Sequence, residues 1–244
     1  MQKLGSDIST TYKVIIKDKP YAVKFFYNER DYDNELQRGL SLAKICNKSL
    51  HNYILHIIDY GIVNESNQYK YCIIYPYYTY NVEQLLSNNY FKFTQKYNLY
   101  IIIYQITKCV YSLHQHGFAH NDIQLNNILY NRNKFILGDL GMISTGNEPM
   151  YNTNNLVAPE IIKNWGQIGT LHQMQKADIW SLGVLFYYII VGNFPFDNYI
   201  INSVNNLAIE DNNINTVING MLKINPDQRI SLAKVLNIIK TNIK

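Results

Sequence analysis

Cysteine is scarce, charge is sparse and no long apolar run interrupts the 244 residues of this chain. Cys46, Cys72 and Cys109 are widely separated and odd in number. They form neither a disulfide framework nor a zinc pattern, and they suit a reducing compartment. Only 16% of residues are charged, and 22 basic against 18 acidic side chains give a net charge of +4 without any basic run. Nucleic-acid binding by phosphate neutralisation is therefore not expected. The most apolar stretches, residues 99–110 and 179–191, are too short and interrupted to span a bilayer. The opening MQKLGSDISTTYKV lacks the apolar core of a secretory signal. A cytoplasmic protein without a membrane partner is expected, and its oligomeric state is left open.

Against these absences stands a hydrophobic content of 47%, enough for a sizeable buried core and too much for a disordered chain. The 22 tyrosines and the many Asn, Ile and Lys residues read as compositional bias, so clusters of Tyr or Asn carry little weight by themselves. The first third is β-rich. Residues 11–16 and 21–26 are strand-like runs split by the turn signal Lys17-Asp18-Lys19-Pro20. Leu36, Leu40 and Ala43 predict a helix over 33–45, and further strands are predicted over 54–61 and 69–75. After Pro76 the pattern turns helical. Thr94 is placed as the cap of a helix reaching His116, with Tyr97, Ile101, Tyr104, Ile106 and Val110 as its apolar face. Residues 178–191 predict an all-round apolar, buried helix, and 214–222 and 231–240 two amphipathic ones. This order defines an α+β, two-lobed chain with its boundary near residues 76–81.

One stretch concentrates chemistry. His120-Asn-Asp-Ile-Gln-Leu-Asn-Asn127 precedes two strand-like runs, 127–130 and 134–138, joined by a turn at 131–133, and Asp139-Leu-Gly follows them. Such a hairpin brings Asp122, Asn127 and Asp139 to one end. Three oxygen-bearing side chains so placed suit Mg²⁺, a hard cation that takes few protein ligands.

Here the chain resembles the eukaryotic-type protein kinases, whose catalytic loop reads H-R-D-L-x-x-x-N and whose metal motif reads D-F-G. Ala22-Val-Lys24, Val157-Ala-Pro-Glu160, Asp178-Ile-Trp-Ser-Leu-Gly183 and Asn225-Pro-Asp-Gln-Arg229 follow the family order. The resemblance covers essentially the whole chain. It implies the two-lobed protein kinase fold as one domain over 1–244: a β-rich lobe to about residue 76, a hinge at about 76–80 and a mainly helical lobe from about 81. It also implies ATP and Mg²⁺ as cofactors, with Mn²⁺ as a substitute, and a protein substrate phosphorylated on Ser or Thr. By resemblance, Lys24 contacts the ATP phosphates, paired with a helix carboxylate that is either Glu35 or Glu29. Ala22 lies over the adenine, Tyr77 and Tyr78 form the hinge, and Tyr75 gates the back of the pocket. Gly5 belongs to the phosphate-covering loop, Asp122 receives or orients the substrate hydroxyl, and Asn127 and Asp139 hold metal. His120 and Asp178 are structural, and Glu160 with Arg229 resembles the family's buried ion pair.

Three departures set expectations of their own. The glycine-rich loop G-x-G-x-x-G-x-V is reduced to Gly5 within residues 4–12, with Thr11 in place of the valine and Asp7 adding repulsion, so ATP binding should be weaker. Gln124 stands where Ser/Thr kinases carry a lysine, so the chemical step should be slower. Asn121 replaces the arginine that grips an activation-segment phosphate, and residues 139–160 contain no Arg or Lys. Activity independent of phosphorylation at Ser144, Thr145, Tyr151 or Thr153 follows, with Arg30 and Arg38 as the alternative anchors. Thr153, seven residues before Glu160, favours Ser/Thr over Tyr substrates. The same departures open a second reading, a pseudokinase scaffold. A third, a small-molecule kinase, is disfavoured by the three motifs around Glu160, Asp178 and Arg229.

Overall fold

The computed structural model describes residues 2–3, 9–45, 50–65, 68–87, 96–151, 157–196 and 209–243; Gly5, Asp7, Cys46, Thr94 and Thr153 lie outside them. Strands β1 (Gln2–Lys3), β2 (Ser9–Ile16) and β3 (Lys19–Phe26) precede helix α1 (Glu29–Ile45), and β4 (Asp59–Glu65) and β5 (Gln68–Pro76) follow it. The five strands make one antiparallel sheet in the order β1-β2-β3-β5-β4. Lys17 and Asp18, both at positive φ (49° and 63°), close the β2–β3 hairpin as a two-residue turn whose twist matches the strands. Helix α1 starts four residues before the apolar pattern because Asn28 caps it, its Oδ1 accepting the Asp31 amide at 2.9 Å.

The strand predicted over 54–61 divides between two partners. Leu55 N donates to Leu137 O and Leu137 N to Tyr53 O, both at 2.8 Å, so residues 53–55 pair with the other lobe and β4 begins only at Asp59.

Residues 77–79 lead into β6 (Tyr80–Asn81), α2 (Val82–Ser87) and the long α3 (Lys96–Gln115). Then come β7 (Ile128–Asn131), β8 (Lys134–Leu137), β9 (Glu148–Pro149), α4 (Pro159–Lys163) and β10 (Ile168–Gly169). The lobe closes with α5 (Leu171–Val191), α6 (Asn212–Met221) and α7 (Leu232–Lys240). Helix α5 carries Trp180, Leu182, Leu185 and Phe186 fully buried at the centre of this lobe. Thr170 and Gln173 form a capping box that starts it seven residues earlier than the apolar run alone predicts, and Gly192 at φ +82° ends it.

The buried face of α3 matches the predicted one at Ile106 and Val110 and differs elsewhere; the Tyr97 side chain lies outside the described residues. The face consists of Tyr100, Ile102, Ile103, Ile106, Cys109, Val110 and Leu113, while Ile101 and Tyr104 are only half-buried. The helix packs at once on α7, β8 and α5, so its buried arc is wider and turned from the single stripe expected. Among the described residues, no helix is long and apolar enough to cross a membrane.

Candidate active site

A cleft of about 420 Å³ separates the sheet from the helical lobe. Ala22 and Lys24 of β3 line its roof, Tyr75 its back, Tyr77 and Tyr78 the connecting strip, and Asn127 and Asp139 its floor. The β-strand period puts Ala22 and Lys24 on the same face of the sheet, both toward the cleft.

Lys24 Nζ lies 2.6 Å from Glu35 Oε2 of α1 and 3.4 Å from Asp139 Oδ1. Its ion-pair partner is Glu35; Glu29 is at the exposed start of α1. Burial pulls the Lys24 ammonium toward a lower pKa, but Asp139 and Glu35 outweigh this and hold it above the ordinary lysine value. Burial pushes the Glu35 carboxyl up, with Lys24 opposing. The surroundings of Asp139 also disfavour its charge, yet Lys24 and the Gly141 amide, 3.1 Å from Oδ1, bring it below the usual carboxylate range. Asp139 itself sits at φ +55°, a backbone state that Asp tolerates better than most residues.

The floor is built on the β7–β8 hairpin. Arg132 and Asn133, at φ 50° and 62°, make its two-residue turn, and Ile128 pairs with Leu137. That register sets Asn127 beside Gly138, whose amide donates to Asn127 O at 2.7 Å, one residue before Asp139. Asn127 Nδ2 donates to the carbonyl and the carboxylate of Asp122, at 2.8 and 2.7 Å. Gln124 Nε2 lies on the same carboxylate, 3.1 and 3.0 Å from its two oxygens.

Beneath this loop, buried Asp178 accepts the amides of His120 and Asn121 at 2.7 and 2.8 Å and meets His114 Nε2 at 2.9 Å. His120 has no exposed surface; its Nε2 donates to Gly138 O at 2.9 Å and its Nδ1 accepts the Asp122 amide. It is a strut between the loop and the hairpin. Asn121, at φ +63°, donates from Nδ2 to Met142 O at 2.9 Å, reaching the following segment with a neutral group. Glu160 and Arg229 form a two-pronged pair at 2.6 Å on both arms, with Arg229 fully buried over the Trp180 ring.

Two contacts had weaker signals in the sequence. Arg38, one turn after Glu35 on α1, donates to Ile143 O at 3.1 Å and to Glu148 Oε2 at 2.8 Å. The i,i+3 spacing of Glu35 and Arg38 was its only local trace. The Tyr75 hydroxyl donates to Glu35 Oε1 at 2.7 Å, a partner 40 residues away that no spacing announces.

The donor set fits Mg²⁺. Both bonds from Asn127 use its nitrogen, which leaves the amide oxygen as an acceptor, and the Asp139 carboxylate faces the same cleft. Among the described residues no three His, Cys, Asp or Glu side chains form a cage, and Mg²⁺ at a phosphate needs none.

A β-sheet lobe over a helical lobe, with a lysine–carboxylate pair facing an aspartate across the intervening cleft, defines the protein kinase class. The protein kinase domain model matches residues 1–238, and the chain belongs to that family. "Serine/threonine-protein kinase PLK4" of Xenopus laevis is 29% identical over 252 residues, covering 97% of this chain and 25% of the relative. The PLK4 of Drosophila willistoni is 30% identical over 151 residues, 55% of this chain and 18% of its own. "Putative serine/threonine-protein kinase R436" of Acanthamoeba polyphaga mimivirus is 30% identical over 199 residues, 77% of this chain and 66% of its own. The matches thus span about a quarter or less of these PLK4 relatives' length.

Proposed function

We propose that this chain, as one kinase domain, transfers the γ-phosphoryl group of ATP to Ser or Thr hydroxyls of proteins. The observation that carries the reading is the Lys24–Glu35 pair at 2.6 Å facing Asp139 at 3.4 Å in the cleft. Lys24 thus stands beside a carboxylate that can take a divalent cation, the pairing of cation and ammonium that a Mg²⁺-bound polyphosphate requires. Lys24 would hold the ATP phosphates, and Ala22 with the 77–78 strip would flank the base. Asn127 and Asp139 would hold Mg²⁺, which supplies charge neutralisation on the phosphates when bound. Asp122 would receive or orient the substrate hydroxyl, help worth roughly 10²–10⁴ in rate. The Ser/Thr preference rests on Thr153 and on the names of the relatives.

A second reading, a pseudokinase scaffold, is favoured by the amide of Gln124 lying on both oxygens of Asp122, where a cation would assist transfer. Incubation with γ-labelled ATP, Mg²⁺ and a generic basic protein separates the two. The kinase reading expects label on Ser or Thr that Asp122→Asn abolishes; nucleotide binding without any transfer would establish the scaffold instead.

A further inference from the structure

The back wall of the cleft does more than fill space. Tyr75 and Glu35 are 3% and 4% exposed, and the two meet through the tyrosine hydroxyl at 2.7 Å. Each oxygen of the Glu35 carboxylate therefore has its own donor: Oε1 takes the Tyr75 hydroxyl and Oε2 takes Lys24. Burial, reinforced by Glu35, holds the Tyr75 phenol well above its usual pKa, so it stays a donor. Lys24, by contrast, has two anions within reach, Glu35 at 2.6 Å and Asp139 at 3.4 and 3.5 Å.

Which anion Lys24 favours decides what Asp139 is free to do. A buried carboxylate with one donor is poorly satisfied and turns about its last bond; with two donors its orientation is fixed. Gly141 sits between the rivals: a Cβ there would lie 3.2 Å from Asp139 Oδ1 and 3.3 Å from Glu35 Oε2. The two carboxylates thus face one narrow space, and small rotations redistribute the lysine between them.

We propose that Tyr75 is a positioning residue for phosphoryl transfer: its hydroxyl locks Glu35 onto Lys24 and so keeps Asp139 available to the cation. The proposal rests on the kinase reading above. It makes the back wall part of how the cleft takes up the cation.

The test is Tyr75→Phe, which keeps the ring and deletes the donor, with Tyr75→Met as a second donor-free side chain should the first fail to fold. Calorimetry with a non-hydrolysable ATP analogue is run on the full chain in MgCl₂ and in EDTA, beside steady-state kinetics. The affinity ratio between MgCl₂ and EDTA should fall by about fivefold or more, while affinity in EDTA moves by less than about twofold. The rate should fall by about tenfold, partly recovered at high Mg²⁺. A simple packing defect would lower both affinities together and leave the Mg²⁺ requirement alone, and that result would overturn the proposal. If wild type binds the analogue but transfers no phosphate, the kinase reading fails while the ratio still decides the role of Tyr75. A wild type that does not bind the analogue at all overturns both.

Discussion

The inner end of the cleft and its floor treat charge differently. At the inner end stand three ionisable side chains, with Lys24 Nζ 2.6 Å from Glu35 and 3.4 and 3.5 Å from the two oxygens of Asp139. On the floor Asp122 keeps its carboxylate, but its neighbours Asn121, Gln124 and Asn127 are all amides. An amide offers hydrogen bonds without charge. In a cleft of low effective dielectric the lost charge matters most where negative charge moves, during transfer rather than binding. The contrast predicts that the missing floor charge slows the transfer step more than it weakens the hold on Mg-nucleotide.

The largest effects should come from the inner end. Asp139→Asn and Lys24→Met are each expected to lower phosphate transfer by about 10³ or more, because each removes a charge facing the phosphates. Lys24→Met should still melt cooperatively, followed by circular dichroism. A mutant that is instead unfolded makes Lys24 structural, and unchanged turnover in Asp139→Asn removes it from the metal site.

Next comes a charge kept for structure alone. Glu160→Gln strands the fully buried Arg229 and should cost about 3–5 kcal/mol of stability, read as a fall in the denaturant midpoint. The single-turnover rate of the folded fraction should hardly move. A large rate loss without destabilisation would draw this pair into the chemistry.

Gln124→Lys tests the floor directly by restoring a cation beside Asp122. It should raise the transfer rate by about tenfold, near 1.4 kcal/mol of barrier, without tightening nucleotide binding. No gain would mean that the floor's amides are not what slows the step.

The sequence carried this contrast unevenly. The hairpins were legible because their turn residues and strand periods are local; their register joins Asn127 to Asp122 and sets its carbonyl on the Gly138 amide, one residue before Asp139. The apolar face of α3 was legible only in part, at Ile106 and Val110, because three neighbours, not one, bury the helix. Residues 54–58 read as the start of β4 because alternation cannot say which lobe a strand pairs with. Glu35 and Glu29 are both within reach of Lys24 in sequence terms; only the capped start of α1 at Asn28 sets the phase that points Glu35 inward. Tyr75 lay hidden in a tyrosine-rich background, where one more tyrosine carried no signal.

The smallest effect should come from phosphorylation of the segment between Asp139 and Glu160. A phosphate orders a loop where an Arg grips it through charge-assisted hydrogen bonds. The position beside Asp122 is Asn121, and its side chain already donates to Met142 O. Of the two alternative anchors, Arg30 is exposed in the first turn of α1, and Arg38 is already engaged by Glu148 at 2.8 Å and Ile143 O at 3.1 Å, so α1 and the segment are joined without modification. Ser144 is buried; its hydroxyl accepts the Gly146 amide and its backbone pairs with Ala119, which removes it as an acceptor in this conformation. Thr145 is exposed and is the site to test. Phosphatase treatment or Thr145→Ala should change the transfer rate by less than about threefold, under roughly 1 kcal/mol of barrier. A tenfold loss on dephosphorylation would point to Arg30 or Arg38 gripping the phosphate, and the segment would then be a switch rather than a fixed brace.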